Sequence, residues 1–182
     1  MLNFTLTLPS TFSKEFKRQA RRYWATDGGV VGDLLCFDRP QTLVQVRDAY
    51  QSHFGVYTHC EHSFSQYLAH SLLRLAEHGL TRIEPAVPVA LGNPMPLAFR
   101  LAAPRPSTSA ARQAWQAYGC LVGRVLSAET PMTLDQIVDA NRRVAAEERE
   151  GSRPVSPMVV AGWLLALAEA GVVEVLQAEV SP

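Results

Sequence analysis

Lysine is almost missing from this chain: Lys14 and Lys17 are the only two, and the other fifteen basic side chains are arginine. That skew fits a GC-rich bacterial source. Net charge is missing too. Seventeen Lys and Arg balance seventeen Asp and Glu, so no whole-molecule field draws in nucleic acid or an anionic membrane. Cysteine is scarce, and Cys36, Cys60 and Cys120 form an odd set without the spacing of a disulfide scaffold. No apolar run approaches the length of a membrane span, and the opening MLNFTLTLPSTF lacks a basic segment ahead of a long apolar one. These absences predict a reduced, cytoplasmic protein with no membrane partner. The chain also lacks G-x-S-x-G, a glycine-rich phosphate loop and any carboxylate pair placed by a motif. Neither an enzyme nor a cofactor is expected. His53, His59, Cys60, Glu61 and His62 cluster in sequence, but a structural zinc site wants two separated ligand pairs and no second cluster exists. No metal is expected, and the cluster reads as a polar turn.

What the chain does have is one stretch used twice. Residues 21–49 and 112–140 match without a gap at an offset of 91, with twelve identities in twenty-nine positions. They include Arg21/Arg112, Trp24/Trp115, Gly28/Gly119, Gly32/Gly123, Pro40/Pro131, Thr42/Thr133, Gln45/Gln136 and Asp48/Asp139. At an offset of 92 the match resumes with Ala69/Ala161, Leu72/Leu164, Leu73/Leu165, Leu75/Leu167, Glu77/Glu169 and Gly79/Gly171. Two copies of one unit of about ninety residues follow from this register, and 182 residues at 47% hydrophobic content can bury two small cores. Charge is split unevenly along the chain. Residues 1–112 carry twelve Lys and Arg against eight Asp and Glu, and residues 113–182 carry five against nine. The first stretch is therefore the better candidate for a polyanion partner.

Residues 2–8 alternate with the period of a half-buried strand. Ser13 can cap a helix to about Ala25, with Lys14, Lys17, Arg18, Arg21 and Arg22 outward. A second apolar helix is expected over 30–37; in the other copy the same span reads as one longer helix from Ser109 to about Ala128. Thr42 and Thr133 can cap helices running to about His53 and Glu148. Third helices are expected from about Ser63 to His78 and from Ser156-Pro157 to Ala170, each stopped by a glycine, Gly79 or Gly171. Strands follow at 80–84 and 172–176. In the first copy Gly92-Asn93-Pro94 reads as a turn that returns residues 97–101 against 80–84 as a hairpin.

Helix, helix, turn, helix, then LLRLAEHGLTRIE and a hairpin resembles the winged helix-turn-helix family; LLALAEAGVVEVL at 164–176 resembles the same junction. The resemblance covers nearly the whole chain and implies a mainly α fold with small β-hairpins (α+β), built as tandem winged-helix domains. Domain 1 would span 1–101 with its wing at about 80–101, residues 102–109 would link, and domain 2 would span 110–182 with a truncated wing.

The resemblance implies that the third helix of the first copy reads DNA. With Leu68, Leu72 and Leu75 inward, its outward residues are Ser65, Gln66, His70, Arg74 and Glu77, and the first four carry side chains that bond base edges or phosphates. Arg82 and Arg100 would lie on the wing strands and Asn93 at the tip, while Lys14, Lys17 and Arg18 could grip phosphates. The second copy, with Val160, Leu164 and Leu167 inward, offers no such donors. Met158, Gly162, Trp163 and Leu165 read instead as a protein-facing surface, for a homodimer or another partner chain. The reading taken first is a DNA-binding protein, a bacterial or mobile-element transcriptional regulator on double-stranded DNA. The alternative is a protein-interaction subunit, since tandem winged-helix subunits of condensin-like complexes resemble this layout.

Overall fold

A computed structural model describes residues 2–6, 35, 39–54, 61–84, 97–102, 108–148 and 155–177. In chain order these form β1 (Asn3–Leu6), β2 (Gln41–Thr42), α1 (Leu43–Phe54), α2 (Glu61–Glu77), β3 (Thr81–Glu84), β4 (Leu97–Leu101), α3 (Ser109–Val125), β5 (Met132–Thr133), α4 (Leu134–Glu148), α5 (Pro157–Glu169) and β6 (Val173–Gln177). The fold is mixed α/β, mostly helical, with two small antiparallel sheets. The helices expected over 13–25 and 30–37 fall outside the described residues, apart from Leu35, which is buried.

Sequence chemistry accounts for the helix ends. Thr42 and Thr133 each begin a reciprocal cap. The Thr42 amide donates to Gln45 Oε1 at 2.9 Å and the Gln45 amide to Thr42 Oγ1 at 3.2 Å. The Thr133 amide donates to Gln136 Oε1 at 2.8 Å and the Gln136 amide to Thr133 Oγ1 at 3.3 Å. This capping box satisfies two amides that a helix start leaves without intrahelical partners, and it explains why the repeat keeps both Thr and Gln. Ser156 Oγ accepts from the Val159 amide, with Pro157 in the first turn of α5. The cap of α3 is Thr108, whose hydroxyl accepts from Ala111 at 3.1 Å, one residue before the expected Ser109. At the other ends Gly79 and Gly171 adopt φ of 68° and 72°. The amides that follow, of Leu80 and Val172, reach back to Leu75 and Leu167 at 2.9 Å, the 6→1 closure of a Schellman motif.

The strand pairing departs from the expected hairpin. β3 pairs with β1 and not with β4; the first sheet runs β2-β1-β3. β4 lies between β5 and β6, so the second sheet runs β5-β4-β6. Leu97, Ala98 and Phe99 are all buried, a short continuous apolar run with both faces covered, whereas β3 alternates between buried and half-buried residues, with one face covered. The two sheets share one register: Phe4 faces Gln41 and Ile83, and Phe99 faces Met132 and Val175. In each, the strand that opens the unit takes the middle place.

The chain accordingly divides into Met1–Pro96 with Glu179–Pro182, and Leu97–Ala178. This moves β4 out of the domain expected over 1–101 and makes it the opening strand of the second unit. It also removes the charge asymmetry. Divided there, the first unit holds nine Lys and Arg against nine Asp and Glu, and the second eight against eight.

The core of the first unit includes Leu2, Phe4, Leu68, Leu72, Leu75 and Ile83; that of the second includes Phe99, Leu134, Ile137, Val160, Leu164 and Leu167. Every expected inward position on the two third helices is buried. Trp115 explains the two glycines inside α3. A Cβ on Gly119 would stand 2.6 Å from Trp115 Cδ2, and one on Gly123 would stand 2.2 Å from Cη2. The indole lies along its own helix on ground that only glycine leaves open.

Candidate functional site

Two helix faces carry most of the expected site residues that are described. On α2 the buried positions are Leu68, Ala69, Ser71, Leu72, Leu73, Leu75, Ala76 and Glu77. Two adjacent stripes, at 68/72/75 and 69/73/76, give an apolar face wider than the usual amphipathic one. What stays open is narrow. Ser65, Gln66, His70 and Arg74 are each half-buried, with Gln66, His70 and Arg74 in one line at four-residue intervals.

Arg74 is already engaged. Its Nη1 donates to Glu77 Oε2 at 2.8 Å, and the Glu77 side chain is only 10% exposed. A carboxylate held that far from water costs several kcal/mol unless a cation and hydrogen bonds compensate it, on the order of magnitude known for buried ions. Glu77 was expected outward; it is buried because it sits beside Ala76 at the closing turn of α2, and Arg74 neutralises it.

The expected wing arginines do not belong to one wing. Arg82 lies on β3 opposite Thr5, and Arg100 on β4 opposite Glu174. In their matching sheets, Arg82 occupies the outer strand and Arg100 the central one, so no hairpin brings them side by side. Arg100 Nε donates to Glu174 Oε2 at 2.7 Å, a cross-strand pair with both side chains about two-fifths exposed. Opposite charges on facing strands explain this pairing. Lys14, Lys17, Arg18 and Asn93 lie outside the described residues, as do His59 and Cys60.

On α5 the outcome is mixed. From Pro157 to Ala168 there is no charged side chain. Val160, Ala161, Leu164, Leu165 and Leu167 are buried. Leu165 is 1% exposed, so it belongs to the core of its unit and not to the surface it was assigned to. Ala161 and Leu165 form a second inward stripe beside Val160, Leu164 and Leu167, as Ala69 and Leu73 do on α2. Met158 remains, 41% exposed; with Val44 it is one of two exposed large hydrophobics among the described residues. Gly162, Trp163 and Ala166 are half-buried. Met158, Gly162 and Ala166 follow one another at four-residue intervals along one line of the helix.

Trp115 and its two glycines are a feature the residue types alone did not assign. The signal was the repeated spacing Trp-x-x-x-Gly-x-x-x-Gly at 24/28/32 and 115/119/123. Among the described residues no helix is long and apolar enough to cross a membrane. No family model, curated protein or solved structure matches this chain.

Proposed function

We propose that the chain is a pair of winged-helix-like units, arisen by duplication, whose second unit binds a protein partner through the outer face of α5. The shared strand order, the Thr-x-x-Gln capping box and the positive-φ glycine of each unit support the duplication. Helix, short strand, two helices and a strand in α3-β5-α4-α5-β6 support the winged-helix likeness. The place that a hairpin's returning strand would take in the sheet is filled by the unit's opening strand. The observation that carries the partner reading is Met158, left open on a helix with no charge along twelve residues. An exposed methionine beside half-buried Gly162 and Trp163 offers a soft, adaptable contact with room for close approach.

DNA binding is the second reading, and the polar line Gln66, His70 and Arg74 favours it. Its supports have thinned: Arg74 holds Glu77, Arg100 holds Glu174, and the first unit is charge-neutral.

One experiment separates the readings. A photo-crosslinking residue replaces Met158 in the full chain in its native cells, with exposed Gln113 as the control position. The same preparation is titrated with a random duplex at about 50 and about 200 mM salt. The partner reading expects an adduct from position 158 that the control does not form. An adduct of twice 20.0 kDa would make that partner a second copy. Binding to the duplex that collapses with salt, with no adduct from 158, would instead establish phosphate contacts and overturn the proposal.

A further inference from the structure

We draw no further inference here: the strongest candidate, the half-open apolar turn of α5 around Met158, Gly162 and Trp163, belongs to the site already described, and nothing in the structure shows what covers it.

Discussion

Replacing Phe99 with alanine tests the strand order directly. Phe99 is fully buried in the middle strand, between Met132 and Val175. A core Phe→Ala change costs about 3–5 kcal/mol, the lost transfer energy plus the cavity left behind. A unit the size of Leu97–Ala178 has about 4–12 kcal/mol to lose, at roughly 0.05–0.15 kcal/mol per residue. The substitution therefore removes a quarter or more of the stability of one unit. Native-state hydrogen exchange reads where that loss falls. At about 1.4 kcal/mol per tenfold, the protected amides of β4, β5 and β6 should exchange about a hundred to several thousand times faster. The amides of Thr81–Glu84 in β3 should keep their rates. If the β3 amides accelerate and those of β6 do not, then residues 97–101 pair with 80–84 as a hairpin, and the assignment of β4 to the second unit is wrong. Phe4→Ala is the mirror experiment and should expose β2 and β3.

Thr81 is fully buried and its hydroxyl finds no hydrogen-bond partner among the described residues, while the matching residue of the second unit is Val173. Thr81→Val should stabilise by about 1 kcal/mol by removing an unmet polar group, which raises the melting temperature by about 4–8 °C for a unit of this size; a lowered melting temperature would mean that the hydroxyl is satisfied. Glycine to alanine inside a helix normally gains about 1 kcal/mol, yet Gly123→Ala should destabilise, because its Cβ meets the Trp115 ring. In a Trp115→Ala background the same change should turn favourable, a sign reversal that urea denaturation reads as a coupling; equal effects in both backgrounds would remove the ring from the account. Arg74→Ala should cost about 1–3 kcal/mol by removing a guanidinium from the buried Glu77 carboxylate, and adding Glu77→Gln should restore part of it in a thermal melt. Without that rescue, Arg74 would have a role other than charge compensation.

Local chemistry was legible and long-range pairing was not. Caps and stops depend on a few neighbouring residues, so Thr42, Thr133, Ser156, Gly79 and Gly171 could be read directly, and each does what its type suggests. The inward positions Leu68, Leu72 and Leu75 follow from helical period and are buried. The partner of a strand depends on distant chain. Residues 97–101 announce a strand, but proximity in sequence favours 80–84, and a turn such as Gly92-Asn93-Pro94 strengthens the wrong choice. The clue was present: Phe4-x-Leu6 matches Phe99-x-Leu101 at an offset of 95, and Pro9-Ser10-Thr11 matches Pro106-Ser107-Thr108 at 97. Those offsets differ from 91, so a gapless comparison passes over them. Leu165 failed for a related reason. Its place beside the Val160, Leu164 and Leu167 stripe reads as surface, whereas the shared identities Ala69/Ala161 and Leu73/Leu165 mark a second inward stripe.

The strand order also bears on which face can do work. The DNA reading rests on the polar line Gln66, His70 and Arg74 of one helix, with Arg82 and Arg100 added on a single wing. Placing Arg100 in the other sheet takes it off that wing and pairs it with Glu174, and Arg74 is paired with Glu77. Phosphate binding draws its affinity from the number of charges neutralised, each contributing to the salt slope. A face built on Arg82 and a paired Arg74 therefore predicts a shallow slope, unless Lys14, Lys17 and Arg18 join it. The α5 surface loses Leu165 in the same revision but keeps its character. Met158 is exposed whether or not Leu165 is, and the helix remains without charge from Pro157 to Ala168. The change of strand partner takes the wing from the DNA reading and leaves it the polar line Gln66, His70 and Arg74, whereas the partner reading rests on one helix face throughout. For that reason the partner reading is the one the revised fold supports better.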